Sequence, residues 1–218
     1  MNRVMNLFRI SIHPDEKVEF LRLLGNLASY FQEVEQNLIS FYAFRSPEQE
    51  DLYLILEIFT SEQAYLDYLN SESYQRYQEL TQPFVREQAY VRLEGLILLE
   101  KLSKDLPQVG SGLRLTLFQG EAPNLEAKDR LNRLTQKYVF QKEGLHAFYL
   151  GCDKQSPEDW YQFEIFSQQK EEDLLADEEG FKHEEVTLRW EPQDLVDFSL
   201  GMDVVATRGI ELWDLGVL

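Results

Sequence analysis

Leu52-Tyr53-Leu54-Ile55-Leu56-Glu57-Ile58-Phe59-Thr60-Ser61-Glu62-Gln63 decides the fold, because its core is found twice in the chain. A run of Leu, Ile, Tyr and Phe has the length and composition of a strand. It ends at Thr60-Ser61-Glu62-Gln63, which resembles a capping box with Thr60 as the cap and Gln63 reaching back. Glu57-Ile58-Phe59 returns as Glu164-Ile165-Phe166, and Phe41-Tyr42 returns as Phe148-Tyr149, each 107 positions on. The same offset pairs Val18, Leu24, Leu27, Phe31 and Leu38 with Leu125, Leu131, Leu134, Tyr138 and Leu145. Farther along it pairs Thr60 with Ser167 and Tyr74 with Phe181. One ungapped register that preserves apolar character over most of two half-chains reads as an internal duplication.

Working outward, each half has the same order of elements. Leu7 to Ile12 alternates, with Phe8, Ile10 and Ile12 on one face and Arg9 and Ser11 on the other. Pro14-Asp15 opens a helix whose stripe is Val18, Leu21, Leu24, Leu27/Ala28, Phe31 and Val34. Strands follow at Leu38–Arg45 and Leu52–Phe59, then a helix from Thr60 that Ser71 interrupts, then a strand at Tyr90–Glu100. The second half reads Leu113–Phe118, a helix around Leu125–Gln141, strands at Leu145–Cys152 and Asp159–Phe166, a helix near Gln168–Glu179, and a strand at Val196–Val205. This is βαββαβ twice, the ferredoxin-like pattern. The fold class is therefore α+β: residues 1–102 form one repeat, 103–112 a linker, and 113–218 a second repeat with a C-terminal tail. Two such units cover their bare sheet faces by packing sheet against sheet into a barrel. The purely aliphatic face Leu52, Leu54, Leu56 and Ile58 is expected under the helices. Tyr53, Ile55, Glu57 and Phe59, with Trp160, Gln162, Glu164 and Phe166, are then expected to face the other sheet around a cavity.

Composition excludes several function classes. A net charge of -18 opposes binding to phosphate backbones and anionic membranes. No apolar run approaches a membrane span, and the N-terminal residues lack the apolar core of a signal peptide. A single cysteine, Cys152, fits a reducing compartment, so the expectation is a soluble, cytoplasmic chain with no nucleic-acid or membrane partner. Fusion already supplies the partner sheet, so a monomer suffices physically and a homodimer stays open. No metal-ligand spacing, glycine-rich phosphate loop or assembled Ser-His-Asp set is present, and no metal site is expected.

Candidate site residues come from the duplicated positions. Glu57 and Glu164 recur at one strand position; a buried carboxyl there has a raised pKa and can act as acid or base. Arg9 and Arg114 are the candidate cations, and the alternative is a structural ion pair between the sheets. Tyr53 and Trp160 can stack on an aromatic ligand, with Gln162 beside them, or simply fill the core. Tyr42 and Tyr149 are equivalent phenols able to hydrogen-bond a quinol, or merely a nearby carbonyl. His146 is the candidate proton shuttle, whereas His13 and His183 read as surface residues.

The stretch Leu56 to Tyr74 resembles the third strand and following helix of the antibiotic biosynthesis monooxygenase superfamily. The resemblance covers nearly all of the first half and extends through Phe148-Tyr149 and Trp160–Phe166 in the second. It implies a dimeric α+β barrel, here as a fused pseudo-dimer, holding a small apolar or aromatic ligand. It also implies, as first activity, an oxygenase of quinol-type substrates without metal or flavin. Glu57, Glu164 or His146 would be the base, and Arg9 or Arg114 would stabilise negative charge. A non-catalytic ligand-binding or sensing barrel is the alternative. A haem-degrading branch of the family carries an Asn on the first strand, a Trp in the helix after the third strand, and a His ten residues beyond. Asn6 matches the first, but Tyr68 stands in the Trp position and Gln78 in the His position, with Leu175 and Glu185 in the second half. Haem therefore remains a third reading, with His183 or His146 as axial ligand and the usual triad incomplete.

Overall fold

The computed structural model describes residues 3–46, 49, 51–101, 112–119, 125–142, 144–166 and 202–208. The first half runs β1 (Arg3–Ile12), α1 (Lys17–Val34), β2 (Leu38–Arg45), β3 (Leu52–Phe59), α2 (Glu62–Leu69), α3 (Glu72–Thr81) and β4 (Val85–Glu100). The second runs β5 (Gly112–Gln119), α4 (Leu125–Gln141), β6 (Leu145–Asp153), β7 (Asp159–Phe166) and β8 (Met202–Arg208). The helix expected near Gln168–Glu179, His183, Leu175, Glu185 and, apart from Gly112, the linker at 103–112 lie outside the described residues.

Local chemistry accounts for most boundaries. A short 3-10 turn at Pro14–Glu16 leads into α1, with acidic Asp15 and Glu16 at its positive end. The buried stripe of α1 is Phe20, Leu24, Leu27, Ala28 and Phe31; Val18, expected on it, is 81% exposed because it lies two residues, and so half a turn, away from Phe20. The α2 cap is Ser61 rather than Thr60: the Ala64 N–H donates to Ser61 Oγ at 3.1 Å, while Thr60 turns to Asn37 and Gln63 to Asp67. Ser71 does interrupt the helix, and its Oγ accepts the Tyr74 N–H at 3.1 Å to cap α3.

Each half supplies an antiparallel sheet with its strands in the order last-first-third-second, and the two sheets close into one barrel, β1-β3-β2-β8-β5-β7-β6-β4. Closure comes from two pairings between halves, β2 with β8 and β4 with β6. The 16-residue β4 makes the second of these possible, pairing along β1 with its first part and along β6 with its last. No helix among the described residues is long and apolar enough to cross a membrane.

The barrel interior reverses the expected facing of the strands. Leu54, Leu56 and Ile58 point inside, packed with Met5, Leu7 and Phe44 of their own half and Leu113, Leu115, Phe163 and Ile165 of the other. Tyr53, Ile55 and Phe59 lie under the helices with Phe20, Phe31, Tyr65, Tyr68 and Tyr77. The reason is enclosure on both sides: every residue of β3 is buried, so an aliphatic face does not identify the helix side. The aliphatic set fills the barrel, and the aromatic set meets aromatic helices.

At the β4–β6 seam Gly95 stands opposite Gly151. A Cβ on Gly151 would lie 3.0 Å from the Glu94 carbonyl oxygen and 3.1 Å from Leu93 Cβ. Gly151→Ala should therefore lower unfolding stability by about 1–3 kcal/mol in urea denaturation. Gly25→Ala, in α1 with nothing within 4 Å of the added methyl, should raise it by roughly 0.5–1 kcal/mol. Equal effects at both sites would remove the seam's packing constraint.

Candidate functional site

The site is built on the helix-covered face of the first sheet. Arg92, Asn6, Glu57 and Phe41 form one row across β4, β1, β3 and β2. Over this row lie α2 and α3. Asn6 is 0% and Glu57 2% exposed. Neither side-chain polar atom of Asn6, nor Glu57 Oε1, nor the Tyr68 hydroxyl has a hydrogen-bond partner among the described residues. Each buried polar group left so costs about 1–3 kcal/mol, which is why such groups cluster where a ligand can satisfy them.

Burial pushes the Glu57 carboxyl up to about 8. Its charge, when formed, adds to burial in raising the phenols of Tyr65, Tyr68, Tyr74 and Tyr77, so four helix tyrosines surround it electrostatically. Tyr65 rises to about 12, with the nearby Arg92 guanidinium opposing the shift. Arg92 stacks 4.7 Å over the Tyr65 ring and bonds Glu62, which also bonds Lys154 of the second half.

A cleft of about 310 Å³ adjoins this cluster from the surface, lined by Phe8 and Ile10 of β1, Tyr74, Tyr77, Gln78 and Thr81 of α3, and Gln82, Val85 and Gln88. Phe8 follows Asn6 on the same face of β1. The Tyr74 ring packs edge-on to Tyr68 at 5.2 Å, and Gln78 Nε2 donates to the Tyr74 hydroxyl at 2.9 Å. The cleft lining is aromatic, aliphatic, amide and, at Thr81, hydroxyl, without a formal charge.

The second half shows what Glu57 lacks. Arg114 stands opposite Glu164 as Asn6 stands opposite Glu57, so the first strands match one residue beyond the offset of the rest. Arg114 Nη1 lies 3.4 Å from Glu164 Oε2, and the Tyr138 hydroxyl donates to Oε1 at 2.6 Å. In the first half these two partners are replaced by Asn6 and Phe31. The duplicated carboxyl is paired in one copy and bare in the other.

The sequence-predicted residues divide accordingly. Glu57 and Tyr68 come together at the site. Glu164 and Arg114 pair with each other, as the ion-pair alternative holds, but on the helix side and within one half. Tyr53 and Trp160 do not line the space between the sheets: Tyr53 packs edge-on to Phe20 at 5.0 Å, and Trp160 lies in the helix-side core of the second half with Phe148 and Val139. Gln162 shares the Trp160 face of β7, so it too leaves the barrel interior. Arg9 is exposed, on the Met5/Leu7 side of β1, and stands apart from both carboxyls. His146 is half-buried at the bulge where β6 shifts register, away from Glu57. Tyr42 and Tyr149 meet inside the barrel, their hydroxyls 3.1 Å apart. Sequence reasoning missed Arg92 and Glu100 of β4 and gave no site role to Tyr74 and Tyr77 of α3. The haem reading finds no imidazole or thiolate in the cleft lining, and Gln78, in the His position, is engaged with Tyr74. These residues do not fit imidazole ligation of haem. Among the described residues no His/Cys/Asp/Glu group can hold a metal ion.

A raised carboxyl pKa means the native state holds the proton more tightly than the unfolded chain, so its stabilising contribution is complete below about 4.3 and is lost as pH rises to about 8. Glu57→Gln, which cannot ionise, should gain stability over the parent by about 1.4 kcal/mol per pH unit across that window and by a constant amount above it. Glu164→Gln should instead lose roughly 1–3 kcal/mol at neutral pH, since Arg114 is left without its carboxylate. Denaturant unfolding at several pH values reads both, and a pH-independent Glu57→Gln difference would contradict the unpaired, buried state of this carboxyl.

The family model for antibiotic biosynthesis monooxygenase matches residues 3–80, the segment that holds this site. No curated protein matches the chain by sequence. A proposed monooxygenase from Lactobacillus acidophilus NCFM superposes with TM-score 0.71 at 11% identity, over 97% of this chain and 100% of its own. Another from Fusobacterium nucleatum subsp. nucleatum ATCC 25586 gives 0.64 at 13%, over 96% of each chain. An anthrone oxidase-like protein gives 0.55 at 11%, over 95% of this chain and 92% of its own. At these identities the likeness is one of fold, and it runs the full length of single chains. Residues 3–80 thus match the antibiotic biosynthesis monooxygenase family model, and the whole chain shares the fold of the Lactobacillus and Fusobacterium structures.

Proposed function

We propose that this protein is a monooxygenase-like enzyme that admits a small, uncharged aromatic molecule of quinol type to the cleft beneath α3 and oxidises it with dioxygen, without metal or flavin. The observation that carries the reading is the bare carboxyl of Glu57, raised to about 8, with unpartnered Asn6 in its row and unpartnered Tyr68 packed on Tyr74, a wall residue of an uncharged cleft. A general base works best with a pKa near the working pH. In its ionised form Glu57 takes the phenolic proton of the substrate. The Asn6 amide and Tyr68 hydroxyl then donate to the phenolate oxygen, in surroundings where hydrogen bonds to charge are strong. Dioxygen takes its electrons from the electron-rich ring. One oxygen atom enters the ring and the other leaves as water, so a hydroquinone becomes a hydroxyquinone with no outside reductant. Tyr74 and Tyr77 supply stacking faces.

Oxygen uptake with a panel of hydroquinones tests the reading. Consumption should exceed buffer for at least one member, rise with pH to a plateau above about 8, and fall about 10²-fold or more in Glu57→Gln. Uptake at buffer level with every member, or full activity in Glu57→Gln, would contradict it. Binding that returns the ligand unchanged would favour a sensing role for the same cleft.

A further inference from the structure

On the other face of the first sheet, inside the barrel, lies a second polar group that the cleft does not use. The Tyr42 and Tyr149 hydroxyls are 3.1 Å apart, one from each half. Tyr42 donates to Glu100 Oε1 at 3.0 Å, and Tyr149 donates to the same oxygen. Both tyrosines are fully buried, and Phe44 stacks on Tyr42 at 5.7 Å and 8°. Their neighbours in the interior are otherwise mostly aliphatic. Phenylalanine at both positions would fill nearly the same volume and remove the need to bring a carboxyl to the barrel, so packing alone does not account for the trio.

The arrangement is the one that phenol oxidation needs. Burial, and then the Glu100 charge, push both phenols well above their ordinary range, which closes the route through free phenolate. A buried phenol then gives up an electron only if its proton has an acceptor within hydrogen-bond reach, and Glu100 Oε1 is that acceptor.

We propose that Tyr42, Tyr149 and Glu100 form a redox site that holds a neutral tyrosyl radical inside the barrel. A one-electron oxidant of the radical class, such as an azide or peroxyl radical, removes one electron from Tyr149 and becomes its anion. The Tyr149 O–H bond breaks, its proton bonds to the Glu100 carboxylate, and a neutral phenoxyl radical remains. Tyr42 turns its hydroxyl to donate to that radical oxygen. An external one-electron reductant reverses each step. Aromatic contacts link the site to the cleft: Tyr42 follows Phe41 in β2, Phe41 packs 5.3 Å from Phe31, and Phe31 lies 6.0 Å from Tyr77 of the cleft wall. The inference does not depend on the oxygenase reading, because any oxidant of this class suffices.

Azide radicals generated by pulse radiolysis, followed by optical absorption and freeze-quench electron paramagnetic resonance, test it on the full chain. The parent should give a long-lived tyrosyl radical. Tyr42→Phe/Tyr149→Phe should lose the long-lived component, Glu100→Gln should shorten it, and Tyr90→Phe, at a 60% exposed ring, should leave it unchanged. The same lifetime in the double variant would overturn the assignment. Should that variant fail to fold, the unaltered protein still decides: slow exchange into deuterated water of the proton bonded to the radical supports the buried site. Exchange as fast as at a surface tyrosine overturns it.

Discussion

Edge closure is the constraint on which the rest of this structure depends. A four-stranded sheet with helices on one face has a second bare face and two strands of unpaired backbone groups. Here the pairings of β2 with β8 and of β4 with β6 remove both problems together. The backbone edges find partners, and the bare faces become the inside of a barrel. The requirement reaches to single residues: β4 has to span both sheets, and Gly95 and Gly151 face each other where a Cβ on either would meet Met5 Sδ, at 3.2 and 3.4 Å.

Closure also decides where ligand chemistry can sit. Among the described residues, the interior is packed with side chains from both halves, and a cleft opens in the helix-covered layer of the first half. In that layer the two copies differ in the partners of their shared carboxyl. Glu164 keeps Arg114 and Tyr138, whereas Glu57 faces Asn6 and Phe31. Removing a cation and a hydroxyl from around a buried carboxyl leaves its desolvation uncompensated, which turns a structural ion pair into a titratable group near neutral pH. A second contribution crosses between the halves: Lys154 shares Glu62 with Arg92, so the turn after β6 helps fix the cation at the edge of the first half's site.

Much of the architecture was legible because duplication leaves a register. The shared offset of Phe41-Tyr42 and Glu57-Ile58-Phe59 gives two βαββαβ units, and strand and helix periodicities place most elements. Which face of each strand looks inward was not legible. Period-2 reasoning needs one polar face, and β3 has none, since even Glu57 is buried. That single reversal moved Tyr53, Trp160 and Gln162 out of the expected cavity and brought Tyr42 and Tyr149 together. Arg92 and Glu100 escaped notice because their roles follow from the register of β4 against β1 and β6, which barrel closure sets and no local pattern records. The equivalence of Asn6 with Arg114 was hidden by a one-residue slip between the first strands and the rest of the repeat.

The central claim is that Glu57 is an uncompensated carboxyl within a folded helix–sheet layer. Carbon-13 NMR of protein labelled at glutamate side-chain carboxyls, with Glu57→Gln to assign the resonance, measures its titration directly. The account predicts one glutamate that remains protonated at pH 7 and titrates near 8. A Glu57 resonance titrating in the ordinary carboxylate range, about 4.3, would contradict it.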